Sequence, residues 1–263
     1  MNILHKILEQ KKLEVGALLE LPDPLANFTE KKRRSLFDTL RESATLQVIA
    51  EMKRASPSKG LIAEGADPVK QAKIYAEAGA AAISVLTDKE FFKGSFNDLA
   101  TVAASVDIPI LCKDFMIDRV QIRFAKASGA SIILLIVAAL EDELLCDLYS
   151  YATSLGLEIL VEVHDIGELE RAIAVGARLI GVNNRDLRSF EVSLERTREI
   201  AEAFPFGEER VLISESGIWT TDDAQAVAAM GASGVLVGES LMRSGNAGSA
   251  LQSLQVRKAG ASV

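Results

Sequence analysis

Short apolar runs recur along the chain after an amphipathic segment that extends to about residue 45. Each run is four to seven residues long, which is the usual length of a buried strand and shorter than a typical buried helix. The pattern therefore predicts eight strands, at residues 46–51, 81–87, 108–113, 131–137, 158–163, 179–183, 211–214 and 234–238.

Helix-like stretches separate many of these runs, and several end at a glycine. Gly79, Gly129, Gly176 and Gly231 are each followed by alanine, between a predicted helix and the next predicted strand. Glycine is typical of the position just after a helix, because it adopts the left-handed backbone conformation without strain. The chain thus repeats a helix, Gly-Ala, strand unit. The clearest predicted helices cover residues 68–78, 118–128, 141–155, 166–175 and 221–230.

The repeat predicts an α/β fold with parallel strands. One strand follows another every 25 to 35 residues or so, and parallel neighbours need a crossover of about that kind rather than a tight hairpin. Eight such units close naturally into a (β/α)₈ TIM barrel. A doubly wound open sheet is the alternative, but no predicted strand leads into a helix through G-x-G-x-x-G. We expect one barrel domain over residues 1–263, with residues 1–45 as an N-terminal helical extension.

Composition and charge narrow the class of partner. The 263 residues carry a formal net charge of −8, which disfavours nucleic acid and anionic membrane surfaces. Cys112 and Cys146 are too few for a disulfide framework, and no Cys/His cluster has zinc-ligand spacing. The longest apolar run, residues 132–140, is about half of the roughly 20 residues that a membrane span requires. We therefore expect a cytoplasmic protein whose anionic partner is a small molecule.

Charged residues stand where several predicted strands end. In a TIM barrel, the functional groups project from the C-terminal ends of the strands. Glu51 and Lys53 share a strand face at the end of the first run, Lys113 ends the third run and Glu162 lies near the end of the fifth. A structural ion-pair network is the alternative, but convergence from different strands favours acid–base chemistry. Crowding or burial is expected to lower the pKa of such a lysine toward neutrality.

The seventh and eighth runs end in small residues instead. Loops after strands seven and eight of a TIM barrel commonly form a phosphate site from backbone N–H groups. Ordinary βα loops with Gly and Ser are the alternative. The candidates for a phosphate site are Ser216, Gly217, Gly238, Glu239 and Ser240.

Other polar positions carry less functional weight. Cys112 alternates with Lys113, so we expect it to face the helical layer as a small core residue. We expect His164 to face the rim or the helices. The basic run at residues 31–34 is interpreted as a solvated helix face, since the net charge disfavours a polyanion partner.

The segments at the strand ends, in this order, resemble the indole-3-glycerol phosphate synthase family over essentially the whole chain. The matching segments are IAEMKRASPSKG at 49–60, SVLT at 84–87, FKGS at 92–95, LCKDF at 111–115, VEVH at 161–164, GVNNRDL at 181–187, SESG at 214–217 and VGESLMR at 237–243. The resemblance implies conversion of 1-(2-carboxyphenylamino)-1-deoxyribulose 5-phosphate to indole-3-glycerol phosphate, carbon dioxide and water, in tryptophan biosynthesis. It implies no metal and no other cofactor.

The same resemblance implies roles for individual residues. Lys113 would be the acid in ring closure, while Glu162, Lys53 and Glu51 would share the later dehydration in an order that the sequence leaves open. The N-terminal extension would cover the mouth of the site. Four residues would line the anthranilate pocket: Ser56, Phe92, Phe115 and Asn183. Arg185 and Glu215 would hold the carboxylate and sugar hydroxyls. The five candidates named above for a phosphate site would bind the phosphate.

Two rival functions remain at this stage. Phosphoribosylanthranilate isomerase, a sibling barrel, would need a Cys/Asp acid–base pair. A barrel that only binds a phosphorylated metabolite would keep the small-residue loops without the Glu and Lys set. We expect a monomer, and leave contact with other tryptophan-pathway enzymes as an open alternative.

Overall fold

The computed structural model describes residues 3–26, 28–53, 55–56, 60–61, 65, 67–186 and 189–258, without the side chains of Ser56 and Leu61. Eight parallel strands form a closed barrel within this part of the chain. All eight predicted strands are thereby confirmed, with ends that shift by at most two residues. The barrel strands are β1 (Gln47–Met52), β2 (Ala82–Leu86), β3 (Ile110–Lys113), β4 (Ile132–Ile136), β5 (Glu158–Val163), β6 (Leu179–Asn183), β7 (Val211–Glu215) and β8 (Gly234–Val237).

Successive side chains along each strand point to opposite faces of the sheet, and this alternation produces two apolar layers. Ile49, Leu111 and Leu160 belong to the cluster that fills the barrel interior, whereas their neighbours Ala50 and Cys112 belong to the cluster between sheet and helices. Both faces are buried because helices cover the outside of the barrel, which explains why the strands are continuous apolar runs. The closing pair is β8 with β1, and it aligns Leu236 with Ile49.

The helices that alternate with the strands begin mostly at polar capping side chains. Asp67, Ser95, Asp118, Asp165 and Thr220 each accept a backbone N–H in the first turn, which satisfies donors that the helix cannot. The helices are α1 (Ile3–Leu19), α2 (Leu36–Glu42), α3 (Pro68–Glu77), α4 (Phe96–Ser105), α5 (Arg119–Ala127), α6 (Asp142–Ser154), α7 (Ile166–Ala174), α8 (Glu195–Ala203), α9 (Thr221–Ala229), α10 (Glu239–Arg243) and α11 (Ala247–Ser253).

The five helices predicted from the sequence are confirmed, whereas α4, α8, α10 and α11 were not among them. Helix α8 illustrates why: its N-cap position is Leu194, which makes no side-chain cap, and it buries only Thr197 and Ile200. Five of its nine residues are charged and Ile200 is its one large apolar residue, so its apolar periodicity is weak. A short two-stranded antiparallel sheet, Ala55–Ser56 with Gly60–Leu61, also follows β1 without having been predicted.

The N-terminal segment covers both ends of the barrel. Helix α2 closes the bottom, where Leu36 and Leu40 join the interior cluster and the first backbone N–H groups of α2 donate to Glu158, that of Leu36 at 2.7 Å. Helix α1 lies at the opposite end, where Ile3 and Ile7 line the mouth. The expected N-terminal extension therefore contributes two helices, α1 at one end of the barrel and α2 at the other.

The basic run at residues 31–34 is not a helix face, so that interpretation was wrong. Residues 28–35 lie outside any helix. Arg33 is partly buried and donates to three backbone carbonyls near the end of α4, including that of Val106 at 2.8 Å. These tertiary hydrogen bonds replace the helical ones, and no sequence pattern reveals them. No helix in the described ranges is long and apolar enough to cross a membrane.

Candidate active site

A cavity opens at the C-terminal ends of the strands, as the barrel prediction requires. Every site residue named from the sequence lines it, except Ser56, whose side chain lies outside the described residues. The predicted residues at the cavity are Glu51, Lys53, Phe92, Lys113, Phe115, Glu162, Asn183, Arg185, Glu215, Ser216, Gly217, Gly238, Glu239 and Ser240. Apolar walls that the sequence did not indicate come from Ile3, Leu4, Ile7, Leu134, Ile136, Phe190, Val192, Ile218 and Trp219.

Lys113 lies between two buried carboxylates at the centre of the cavity. Its Nζ atom is 3.1 Å from Glu162 Oε2 and 3.3 Å from Glu215 Oε2. The three residues stand at or next to the ends of β3, β5 and β7, so strand parity turns all three side chains into the barrel mouth. The structure thus brings Lys113 and Glu162 together as expected and adds Glu215, which was assigned to substrate binding.

A second ion pair lies at the end of β1. Lys53 Nζ is 2.6 Å from Glu51 Oε1, and the Glu51 side chain is almost fully buried. Gly238 makes the space for this carboxylate, because a Cβ atom at position 238 would lie 2.7 Å from Glu51 Oε1. A glycine assigned to phosphate binding therefore also shapes the acid–base group.

The central cluster shifts the pKa values of its members in opposite directions. Burial alone would lower the pKa of Lys113, but the carboxylates of Glu162, Glu215 and Glu51 outweigh burial and raise it. For Lys113, the expectation of a pKa near neutrality was therefore wrong. Burial raises the pKa of Glu215 to about 7, although Lys113 opposes the shift. For Glu162, Lys113 and His164 overcome the burial effect and lower the pKa to about 2.

Asn183 connects Glu162 to the segment after β7. Its side-chain amide donates to Glu162 Oε1 at 3.0 Å. Its carbonyl oxygen accepts the hydroxyl of Ser216 at 2.9 Å and the backbone N–H of Arg185 at 3.1 Å. Asn183 therefore fixes the second oxygen of a carboxylate whose first oxygen pairs with Lys113. The Arg185 guanidinium donates to the carbonyl of Phe190, so Arg185 orients the loop after β6.

Two aromatic rings form a wall beside the charged cluster. The ring centroids of Phe92 and Phe115 lie 6.1 Å apart, and the ring planes are tilted by 34°. Apolar walls of this kind suit a flat aromatic ligand.

The small-residue loops after β7 and β8 meet at one side of the cavity. Ser216 has a positive φ of 65°, which is uncommon for a residue with a side chain. The Ser240 hydroxyl donates to the carbonyl of Ile218 at 3.0 Å. Glu239 pairs with Arg243 at 3.1 Å along α10. The carboxylate of Glu239 thus has a cation partner within its own helix.

Two polar residues near the site were missed by the sequence reasoning. His164 was expected at the rim or facing the helices; its Nδ1 lies 3.0 Å from Glu168 Oε2 of α7, and its Nε2 lies 3.5 Å from Glu162 Oε1, a contact that was not expected. Residues 162 and 164 share strand parity, so this signal was available. Lys11 of α1 is fully buried against Asp88 and Asp114. No local pattern brings these three positions together.

Cys112 faces away from the cavity, as predicted. Its side chain is fully buried within the layer between sheet and helices, and burial raises the pKa of the thiol. It therefore cannot serve as the cysteine of the Cys/Asp pair that the rival isomerase would need. Among the described residues, no group of three or more His, Cys, Asp or Glu is arranged to hold a metal ion.

A solved structure of similar architecture supports the fold. Thiamine phosphate pyrophosphorylase from Pyrococcus furiosus superposes with a TM-score of 0.60 over 80% of this chain and 93% of that chain, at 19% sequence identity. At this identity the similarity concerns the fold alone.

Sequence comparisons indicate the family. The family model described as indole-3-glycerol phosphate synthase matches residues 4–254. A relative of that name from Exiguobacterium sibiricum is 54% identical, over 94% of this chain and 94% of the relative. Another of that name, from Bacillus cereus, is 51% identical over 97% of this chain and 98% of the relative. With this match over nearly its full length, the chain belongs to the indole-3-glycerol phosphate synthase family.

Proposed function

We propose that this chain converts 1-(2-carboxyphenylamino)-1-deoxyribulose 5-phosphate to indole-3-glycerol phosphate, carbon dioxide and water, a step of tryptophan biosynthesis. The observation that carries the proposal is the position of Lys113 between Glu162 and Glu215, in the same cavity as the Lys53–Glu51 pair. The membership of the family supports the choice of substrate. A barrel that only binds a metabolite would have no need for five converging charges, each of which is costly to bury.

Ring closure requires a positive group at the substrate carbonyl. The aromatic carbon that bears the carboxylate attacks the C2′ carbonyl carbon, and negative charge develops on the carbonyl oxygen. The raised pKa keeps Lys113 protonated, so its ammonium can stabilise this oxygen and transfer a proton to it. Glu162, which the lowered pKa keeps ionised, holds the ammonium in place at 3.1 Å.

Loss of carbon dioxide restores the aromatic ring. The bond between the ring carbon and the carboxylate breaks, its electrons return to the ring, and carbon dioxide leaves. The aromatic ring of the substrate would lie beside Phe92 and Phe115, which form an apolar wall of the cavity. We assign to Arg185 and Glu215 the orientation of the carboxylate and sugar hydroxyls.

Dehydration then requires one acid and one base. We assign both to the pair at the end of β1: Lys53 protonates the C2′ hydroxyl, which leaves as water, and Glu51 accepts the proton from C1′. The two groups lie 2.6 Å apart, so a proton passing from Glu51 back to Lys53 restores the starting state. The dehydration is balanced, because one proton is donated and one is taken up. The proton that Lys113 gives to the carbonyl oxygen in ring closure is replaced from solvent, which accounts for the one proton that the overall reaction consumes.

The phosphate of the substrate would sit against the loops after β7 and β8. Ser216, Gly217 and Gly238 line that side of the cavity, and backbone N–H groups in such loops favour a phosphate. Glu239 and Ser240 are assigned to the same site through their backbone atoms, since their side chains pair with Arg243 and the carbonyl of Ile218. Ser56 is kept as a predicted ligand of the anthranilate ring.

The test is to mix the purified protein with the carboxyphenylamino-deoxyribulose phosphate, without added metal or nucleotide, and to follow indole fluorescence. Stoichiometric release of carbon dioxide with the appearance of the indole supports the proposal. Tight binding of the substrate without turnover would contradict it and favour the metabolite-binding alternative.

We further propose that the protein acts in the cytoplasm as a monomer on this small phosphorylated molecule, without a cofactor and without nucleic acid or membrane partners. The net charge of −8 supports the part of this proposal that excludes nucleic acid and membrane partners, because polyanions and anionic lipids are repelled by an acidic surface. Light scattering would test the monomer, and co-purification would test the open alternative of a contact with other tryptophan-pathway enzymes.

A further inference from the structure

Lys11 on helix α1 is a buried cation at the edge of the site. Its side chain is 1% exposed, and its Nζ atom lies 2.9 Å from Asp88 Oδ2 and 2.7 Å from Asp114 Oδ1. Glu14, one turn later on the same helix, approaches the same ammonium at 2.6 Å and is partly exposed. Both aspartates are buried. Burying three charges is costly and requires a specific arrangement, which the described mechanism does not use.

The two aspartates also hold the loops that carry the aromatic wall. Asp88 Oδ1 accepts the backbone N–H of Phe91 at 2.7 Å and that of Phe92 at 3.1 Å. Asp114 Oδ1 accepts the backbone N–H of Phe115 at 2.8 Å. Each carboxylate therefore binds Lys11 with an oxygen and orients the residue that presents one ring of the Phe92–Phe115 pair.

Helix α1 supplies the third side of the same space. Ile3, Leu4 and Ile7 line the cavity, and Ile7 precedes Lys11 by one helical turn on the same face. The ammonium is thus the point where α1, the loop after β2 and the loop after β3 are tied together. Each of these three segments contributes apolar side chains to one pocket.

We propose that Lys11 is a positioning residue for the pocket that receives the aromatic ring of the substrate. It holds the apolar face of α1 against the loops that carry Phe92 and Phe115. The inference rests on the proposed function for the identity of the ring. It assigns to Lys11 an effect on ring binding only. The residues that Lys11 holds together follow β2 and β3 or belong to α1, whereas the residues that would bind phosphate follow β7 and β8.

The experiment compares Lys11→Met with Lys12→Met in the full-length chain. Lys12 is the neighbouring cation on α1, and its side chain is 64% exposed in a pair with Glu9, so it serves as the matched control. Binding is measured by calorimetry with two separate probes, anthranilate and inorganic phosphate. We expect Lys11→Met to weaken anthranilate binding by about tenfold or more and to leave phosphate binding within twofold, while Lys12→Met changes neither.

The kinetic readout separates positioning from a general structural role. We expect Lys11→Met to raise KM by about tenfold or more, with kcat at saturation within about threefold of the unaltered protein. An unchanged KM, or equal losses of anthranilate and phosphate affinity, would overturn the inference. If the unaltered protein has no turnover but Lys11→Met still loses anthranilate selectively, the proposed function fails and the role of Lys11 stands.

A second variant keeps the inference testable if Lys11→Met does not fold. Removing the ammonium alone leaves two buried carboxylates without a cation, which is strongly unfavourable. The combination of Lys11→Met with Asp88→Asn and Asp114→Asn removes all three charges and keeps an oxygen acceptor for each backbone N–H. We expect this variant to fold, by circular dichroism, and to bind anthranilate at least threefold more weakly. Unaltered anthranilate affinity in the folded variant contradicts the positioning role.

Discussion

Gly181 on β6 leaves the space that the carboxylate of Glu215 on β7 occupies. A Cβ atom at position 181 would overlap Glu215 Oε1 and would lie 3.2 Å from Leu160 Cδ1. The backbone of Gly181 is not in the left-handed region, so the requirement for glycine here comes from space rather than from φ. The position of the carboxylate beside Lys113 thus depends on the absence of a side chain on the neighbouring strand.

Gly181→Ala should therefore displace Glu215 from Lys113. We expect a loss of about 1–3 kcal/mol in the free energy of unfolding, as for other overpacked interiors, and a clear fall in kcat. Urea denaturation and steady-state kinetics would measure the two effects. Gly207→Ala is the control, because nothing lies within 4 Å of a Cβ atom there. Equal behaviour of the two variants would show that the space at Gly181 has no role.

The raised pKa of Glu215 predicts a pH dependence of stability. Burial raises its pKa from the ordinary 4.5 to about 7 in the folded protein, so between these values the folded state retains a proton that the unfolded state has lost. The contribution of Glu215 to stability is therefore present below pH 4.5 and is lost as the pH rises through about 7. Lys113, which pairs with Glu215, opposes this trend.

Glu215→Gln should remove this dependence. We expect its free energy of unfolding, relative to the unaltered protein, to increase between pH 5 and pH 8 by about 1 kcal/mol or more, since one pKa unit corresponds to about 1.4 kcal/mol. Urea denaturation at both pH values measures the difference. Glu199→Gln, at an exposed position of α8, should show no such trend. If the free energies of unfolding of Glu215→Gln and of the unaltered protein differ by the same amount at both pH values, the raised pKa of Glu215 is contradicted.

The location of the charged cluster was predictable because strand position decides it. Glu51, Lys113 and Glu162 each stand near the end of an apolar run, and strand parity alone turns them to one side. The barrel topology then brings the ends of separate strands together. For the same reason, the contact of His164 with Glu162 was within reach of the sequence, since His164 directly follows β5 and lies two residues after Glu162.

Other parts of the site depend on contacts that no local pattern encodes. Lys11 looks like a surface lysine of an amphipathic helix, and its burial follows only from the way α1 packs on Asp88 and Asp114. The direction that the sequence analysis expected for the pKa shift of Lys113 was wrong for a similar reason. Its sign depends on how many carboxylates surround the ammonium, and the partnership with Glu215 appears only once β7 is placed.

Lys53→Met should separate ring closure from dehydration. If Lys53 protonates the leaving hydroxyl, its loss stops the reaction after carbon dioxide has left, because ring closure depends on Lys113. In a single turnover with carboxyl-labelled substrate, we expect release of labelled carbon dioxide without a matching rise of indole fluorescence.

The matched control for Lys53→Met is Lys70→Met, at an exposed position of α3, which should form indole at the normal rate. If Lys53→Met releases carbon dioxide and forms indole in equal amounts and at the same reduced rate, Lys53 does not act in dehydration alone. If Lys53→Met releases carbon dioxide and forms indole at normal rates, Lys53 has no role in the mechanism.

Lys113→Met should abolish the release of carbon dioxide and the rise of indole fluorescence together. The ammonium is the cation nearest to Glu162 and Glu215 within the described cavity, at 3.1 and 3.3 Å, and ring closure precedes the loss of carbon dioxide. We expect kcat to fall by about 10² or more with a modest change in KM, because the charge on the carbonyl oxygen develops only during the reaction. Phosphate affinity should be unchanged, which shows that the fold is intact. A near-normal kcat would remove Lys113 as the acid, whereas rapid release of carbon dioxide without indole would move its role to dehydration.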